Sequence, residues 1–364
     1  MLHQLLLLIN FKAIVPDKWL MLRKLKNVNM TKIKTTGLKV CRILLISDTH
    51  GNLDIINQMV TQTNADMVIH AGDFGFYDEQ SIYRLSPREL RLLVSHSPVW
   101  RQYEVDKQTN RERLIEIVKE HQLLGDFPDY ISGKKKFLVP VYAVWGNHED
   151  VQVLRQLNTN LNVENLHVLD EHHFYQFHNS DNELEFSLYG LGGNFLVSKK
   201  LFDKPIAGNG GKVWTALHQF GVLYQQIKDK SKPSIFVSHV SPGKEPLLSR
   251  LIMHFMPNFW ISGHMGASFT CAWNQFTIRE MNESLDWLES DIDLIEEQYQ
   301  QGRLTDEAAL AYEIIKRPID RDESWYKKLW NINLPDVVDG HALLILQESR
   351  FSLETYSKGI KFNN

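Results

Sequence analysis

Short apolar runs that each stop at a polar cluster dominate the pattern along this chain. Residues 41–46 are followed by Asp48-Thr49-His50-Gly51-Asn52, and residues 66–70 feed Ala71-Gly72-Asp73. Residues 139–144 stop at Gly146-Asn147-His148-Glu149, residues 234–238 at His239, and residues 258–262 at Gly263-His264. Runs of this length and composition predict buried strands, and a parallel sheet brings such polar tips to one edge. Between the first two runs, Leu53, Ile56, Met59 and Val60 recur at helical spacing, with Asn52 placed to cap the helix. A strand, helix, strand unit then puts Asp48, His50 and Asp73 on the same edge of a mostly parallel sheet.

Two stretches break this rhythm with helical periodicity. In the first, at about 77–136, Ser86-Pro87-Arg88-Glu89 is a helix start and Leu114, Ile117, Val118 and Leu123 mark a second helix. This insertion is expected to be a substrate-recognition cap or a packing appendage. In the second, at about 279–326, Met281, Leu285, Leu288, Ile292, Ile295 and Tyr299 form an apolar stripe on an otherwise acidic helix. The stripe either docks on its own domain or offers a protein partner a surface near 280–299. Leu304-Thr305 starts another helix, and Pro318 ends it. Further helices are expected at 151–157, 214–227 and 245–255, and strands at 166–169, 172–178 and 184–191. Strands at 329–332, 341–347 and 350–355 are expected to rejoin the core sheet. Two glycine-rich stretches fail as phosphate loops. Phe195 stands where the third glycine of a dinucleotide loop belongs, and Val213 where Ser or Thr must follow Lys212. A mobile loop at the rim of a site is the expected use of 208–212.

Composition narrows the class. The 364 residues are 43% hydrophobic and 23% charged, with a net charge of −4. A pI near 6.4 excludes a general nucleic-acid coat. The 2 cysteines, Cys41 and Cys271, exclude a disulfide framework or a zinc ribbon, so a reducing, cytoplasmic setting is expected. No apolar stretch approaches the ~20 residues of a spanning helix. Residues 11–42 carry nine lysines and arginines against the single acid Asp17. Residues 1–39 are therefore expected to be a basic tail, with an organellar targeting peptide as the alternative, and 40–364 one domain carrying both insertions.

Asp48, His50, Asp73, Asn147, His148, His239 and His264 combine carboxylate oxygen, amide oxygen and imidazole nitrogen. That donor mixture suits manganese, iron or zinc better than an all-oxygen cage suits magnesium or calcium. With one carboxylate bridging, two ions about 3.5–4 Å apart can ready a hydroxide for in-line attack at phosphorus.

In this order, Asp48-x-His50, Gly72-Asp73, Gly146-Asn147-His148-Glu149, His239 and Gly263-His264 resemble the calcineurin-like metallophosphoesterase superfamily. The resemblance spans roughly 40–276, and the final strands also fit. It implies an α/β fold of two packed mixed β-sheets flanked by helices. It implies a metal-dependent phosphoester hydrolase with Asp48 and His50 on one divalent ion, Asp73 bridging, and Asn147, His239 and His264 on the second. His148 is then the group that protonates or steadies the leaving oxygen. Many members continue as Gly-His-x-His, but Gly266 stands here, which leaves the first ion weaker, completed by water, or missing. The protein phosphatases of the superfamily carry a second acid three residues after the bridging Asp; Phe76 stands here, which argues against that type. Residues 258–264 and the Asn-His-Glu segment look somewhat like the RNA lariat debranching branch. Residues 71–78, 200–203 and 210–214 look more like a fungal-type branch, in which the Asn-His-Glu box can be degraded. The alternatives to an esterase are a debranching-type nuclease and a non-catalytic scaffold that binds metal or a phosphoprotein.

Overall fold

Strand β2 (Val40–Ile46) is apolar on both faces, and this fixes the layering. Cys41, Ile43 and Leu45 enter one buried cluster, Leu44 and Ile46 another, so the sheet that contains β2 must be covered on both sides. The computed structural model describes residues 31–34, 40–97, 99–157, 159–179, 184–195, 197, 207–227, 233–241, 244–255, 257–264, 281–316, 331–347 and 350–358.

The first sheet joins β2 to β3 (Met67–His70), β4 (Val141–Ala143), β5 (Leu166–Val168), β14 (Gly340–Gln347) and β15 (Arg350–Ser357), in the order β15-β14-β2-β3-β4-β5. Strands β2 to β5 run parallel, and β14 lies antiparallel to both its neighbours. The second sheet, in the order β1-β6-β7-β11-β12-β13, contains β1 (Thr31–Lys34), β6 (Tyr175–Asn179), β7 (Leu184–Leu191), β11 (Ser234–Ser238), β12 (Phe259–Ser262) and β13 (Asn331–Asn333). The two pack face to face: Ile43, Leu45, Ile69, Tyr142 and Leu344 from the first share a core with Phe186, Leu188, Ile235, Val237 and Ile261 from the second.

Helices cover the outer faces. Helices α1 (Asp54–Thr63), α5 (Phe127–Ile131) and α6 (Val151–Leu157) seal the first sheet through Ile56, Phe127 and Leu154. Helices α7 (Leu217–Gln226), α8 (Pro246–Met253), α9 (Met281–Gln300) and α10 (Asp306–Ile315) seal the second around Phe236 and Trp260. The result is the expected pair of mixed sheets between helical layers. Helices α2 (Ser81–Arg84), α3 (Pro87–Ser95) and α4 (Arg111–Glu120) form their own cluster around Leu90, Val94, Leu114 and Val118. The middle of the α9 stripe is docked: Leu285, Leu288, Ile292 and Ile295 are buried, whereas Tyr299 at its end is exposed. Among the described residues no helix is long and apolar enough to cross a membrane.

Several local expectations change. Asn52 does not cap α1; the Asp126 carboxylate, from just before α5, accepts from the Leu53 and Asp54 amides at 2.9 and 3.2 Å. A carboxylate brought by tertiary packing reaches these amides and adds charge complementarity to the helix end. Residues 207–215 are a hairpin rather than a loop. Strand β9 (Ala207–Asn209) pairs antiparallel with β10 (Lys212–Thr215), which also pairs with β8 (Asn194–Phe195), and helix α7 starts only after Trp214. Gly210 and Gly211 supply the positive φ angles of 59° and 98° that the tight turn needs. Strand β1 falls inside the segment read as a tail and pairs parallel with β6; an open sheet edge accepts a strand through its backbone, whatever the side-chain pattern. Residues 1–30 and 35–39, Cys271 and the end of the second insertion lie outside the described residues.

Glu171, between β5 and β6, is 3% exposed and accepts from Gln219 Nε2 at 3.0 Å. Burial and the neighbouring Asp170 charge push its carboxyl up to about 7. The folded state then holds more protons than the unfolded one between the ordinary carboxylate range and about 7, so stability falls as pH rises through that window. Glu171→Gln should unfold at higher urea than the wild type at pH 8, by on the order of 1–2 kcal/mol, and nearly equally at pH 5. A difference that does not change with pH would contradict this.

Candidate active site

Six loops meet beyond the carboxyl ends of β2, β3, β4, β11, β12 and β13, and backbone and side-chain hydrogen bonds join them into a ring. Asp48 N donates to Gly72 O at 2.9 Å and His50 N to Asp73 O at 2.8 Å, joining the loops after β2 and β3. Gly263 N donates to His239 O at 2.9 Å, Leu334 N to Ser262 O at 2.7 Å, and Val337 N to Ser47 O at 3.0 Å. The loop after β4 is held by a side chain. The buried Glu149 carboxylate accepts from the amides of Phe74, Gly75, Phe76 and Gly146, at 2.8, 3.2, 2.6 and 3.2 Å. Burial and the Asp73 charge push the Glu149 carboxyl up to about 8, against the pull of these amides. Gly146 passes so close to Asp73 that any side chain there would overlap the Asp73 backbone and carboxylate.

The ring holds its residues in uncommon conformations. Asp48, His50, Asp73 and His264 all have positive φ, between 47° and 62°, and make up four of the seven non-glycine cases among the described residues. Such strain persists only where surrounding contacts over-determine it.

At the centre, His239 is buried, and its Nδ1 donates to Ala71 O at 2.9 Å. Burial lowers its pKa, so the ring is neutral and Nε2 carries a lone pair. That atom lies 2.8 Å from Asn147 Oδ1, 3.6 Å from Asp73 Oδ1 and 2.9 Å from His264 Nδ1. Burial and the His239 ring lower His264 to about 3, so it too is neutral. Lone pairs of two oxygens and two nitrogens thus converge with at most one ring proton among them. Asp73, His239 and His264 offer ligand atoms within 4.8 Å of one another, the arrangement a divalent cation satisfies. Although burial alone would raise the Asp73 carboxyl, the four surrounding histidines hold it well below the usual carboxylate range.

Asp48 and His50 lie on the other side of Asp73. His50 is 4.0 Å from Asp48 Oδ1 and 4.0 Å from Asp73 Oδ2, a gap wider than a hydrogen bond. Asp48 is buried, and burial together with the Asp73 charge pushes its carboxyl well above the ordinary value. Behind them the buried His70 ring bonds Thr49 Oγ1 at 3.0 Å and accepts from Gly72 N at 3.2 Å, bracing both acidic loops.

His148 stands at the edge of this group. Its amide donates to Asp73 Oδ1 at 3.0 Å, and its ring Nδ1 lies 2.7 Å from Glu89 Oε2. Burial would lower the His148 pKa, but the Glu89 bond and the charges of Asp73 and Glu89 outweigh it and raise the value. Nδ1–H therefore donates to Glu89, and the opposite edge of the ring is left for another partner.

All seven residues picked from the sequence gather here. Two others, Glu89 and Asp336, join them. Glu89 was read only as part of a helix start, and indeed Ser86 caps α3 by accepting from the Glu89 amide at 3.3 Å, yet the carboxylate turns inward to His148 and is 2% exposed. Asp336 brings its carboxylate to Asp48 and His50, with ligand atoms within 4.8 Å of one another. Spacing along the chain could not have linked either residue to the site. Gly266 lies outside the described residues.

The family model described as calcineurin-like phosphoesterase matches residues 41–267. A second, described as a protein of unknown function (DUF2433), matches 269–364. No curated protein matches the chain. Among solved structures, TT1561 of Thermus thermophilus is 16% identical at a TM-score of 0.35, over 62% of this chain and 83% of that one. NAD nucleotidase of Haemophilus influenzae is 11% identical at a TM-score of 0.37, over 87% of this chain and 55% of that one, so the match spans about half the length of that protein.

Glu149→Ala would leave four buried amides without an acceptor. It should cost at least about 3 kcal/mol, read as a lower urea midpoint. An unchanged midpoint would show that the loops after β3 and β4 are joined by something else.

Proposed function

We propose, on the premise that the chain belongs to the calcineurin-like phosphoesterase family, that it is a metal-dependent hydrolase of phosphodiesters or phosphomonoesters. The observation that carries this reading is the His239 Nε2 lone pair facing Asn147 Oδ1, Asp73 Oδ1 and His264 Nδ1, a donor set with a cation's chemistry. Asp73, Asn147, His239 and His264 would hold one divalent ion, and Asp48 and His50, with Asp73 shared, would hold another. Manganese, iron or zinc suits this set, and ions bound there would activate water and offset charge on the phosphoryl group.

The remaining work falls to the chain itself. His148, its ring 20% exposed, donates a proton to the leaving oxygen. Glu89 is a positioning residue: it fixes the ring's orientation and keeps the proton on Nδ1, so the other nitrogen faces the site. Because Glu89 comes from α3, the first insertion supports a role in the site beyond packing. His96, at the end of the same helix, has its ring 5.7 Å from that of His50, and Arg88, half exposed beside Glu89, adds a cation at the rim. These groups suit a substrate that carries phosphate charge. The hairpin joining β9 to β10 borders the same edge, where Glu149 N donates to Gly211 O at 3.0 Å.

Asp73→Asn should abolish turnover of bis(p-nitrophenyl) phosphate in the manganese-loaded protein. His148→Ala should lower kcat by about 10²–10⁴-fold, with the loss larger for poor alkyl leaving groups than for nitrophenolate. Glu89→Gln should show the same dependence on the leaving group at about 10-fold. Full activity in both Asp73→Asn and His148→Ala would overturn the reading. Bound metal with no hydrolysis across mono-, di- and 2′,5′-linked substrates would favour a scaffold.

A further inference from the structure

The Asp48 side of the centre has a third carboxylate aimed at it from outside the residues matched by the phosphoesterase model. Asp336 follows β13 in the region matched by the second family model. Its backbone is clamped from both directions: Leu334 N donates to Ser262 O at 2.7 Å, beside Gly263-His264, and Val337 N to Ser47 O at 3.0 Å, beside Asp48. Leu334 and Val337 are buried, and the Asp336 carbonyl accepts from the Asp339 and Gly340 amides at 2.8 and 3.2 Å. The Asp336 backbone is therefore held between two loops of the site.

Independently, among the described residues Asp48 accepts its side-chain hydrogen bonds at Oδ2, from Ser47 Oγ and from the His264 amide at 3.0 Å. Its other oxygen, on a side chain 4% exposed, faces His50 at 4.0 Å and has no hydrogen bond among the described residues. Asp48, His50 and Asp336 offer ligand atoms within 4.8 Å of one another, Asp73 Oδ2 lies 4.0 Å from the same His50 ring, and among the described residues no lysine or arginine pairs with any of the three carboxylates. Carboxylates this close repel one another, and a shared cation offsets that repulsion while leaving every oxygen free to act as a ligand.

We propose that Asp336 is a metal ligand: it completes the Asp48–His50 half of the centre, replacing the histidine that Gly266 does not supply. This rests on reading the centre as metal-binding. With Asp48, Asp73 and Asp336 as oxygen donors and His50 as the one imidazole, this half is harder than the half around His239 and His264. It favours manganese or ferrous iron over zinc.

The test counts ions rather than turnover. Full-length protein is stripped with chelator and titrated with Mn²⁺, with stoichiometry from calorimetry and elemental analysis and the manganese pair read by electron paramagnetic resonance. Wild type should hold two ions and show an exchange-coupled pair. Asp336→Ala should hold one tightly, lose the coupled signal, and bind the second at least about 100-fold more weakly. Asp336→Asn, which preserves shape and the local turn, should weaken the second ion in the same direction, and serves if the alanine variant does not fold. Asp336→His should restore two ions and move the preference toward zinc. Wild-type affinity for two ions in Asp336→Ala or Asp336→Asn would overturn the proposal. So would a single ion in wild type that the variants keep, a result that leaves the hydrolase reading standing. No ion in wild type would overturn both.

Discussion

The buried Glu149 carboxylate, accepting four backbone amides from two loops, is the constraint on which the site depends. Asp73 directly precedes one of those amides, and Asn147 and His148 directly follow another. Joining the loops after β3 and β4 therefore sets the distance from the Asp73 carboxylate to the Asn147 amide oxygen and the His148 ring, which lie more than seventy positions further along the chain. The close pass of Gly146 over Asp73 leaves no room for that distance to relax. The same join carries the positive φ of Asp73, because a strained residue stays strained only when its neighbours cannot move.

Around this tie, two sheets supply the remaining residues in a symmetrical way. The first sheet delivers Asp48, Asp73 and Asn147 beyond β2, β3 and β4, and the second delivers His239, His264 and Asp336 beyond β11, β12 and β13. The oxygen donors come mostly from one sheet and the nitrogen donors from the other, so face-to-face packing of the sheets is what assembles a mixed donor set. The fold and the donor chemistry are in this sense the same fact. The first insertion adds α3, which carries Glu89 to His148, and the residues after β12 add the loop with Asp336.

Much of this was legible in the sequence. The strands that end in Asp48, Asp73, Asn147, His239 and His264 stand out because a buried parallel strand must be apolar on both faces and polar only where it ends. The helix starts at Ser86 and Thr305 were equally plain, since capping is a local interaction, and both side chains accept the expected amide. What depended on tertiary contact was hidden. Asp126 caps α1 from about 70 residues away, so Asn52 looked adequate. Strand β1 is held by an open sheet edge, which leaves no periodic signature. The glycines at 210 and 211 suggested mobility, whereas their conformational freedom serves a hairpin turn. Glu89 reads locally as part of a helix start, and what brings Glu89 and Asp336 to the site is contact with His148 and Asp48, 59 and 288 positions away. Glu149 shows the reverse: it was read as a polar group offered at a sheet edge, and it is spent on backbone amides inside.

The central claim is that Asp73, Asn147, His239 and His264 turn their lone pairs on a common point because a cation belongs there. The most direct measurement is anomalous scattering from a crystal grown or soaked with Mn²⁺ and recorded near the manganese edge. The account predicts a strong peak within about 2.0–2.3 Å of ligand atoms from all four residues, with Asp73 Oδ1 among them. A fully Mn²⁺-exposed crystal with no peak at this point, or with its only peak elsewhere on the protein, would contradict it.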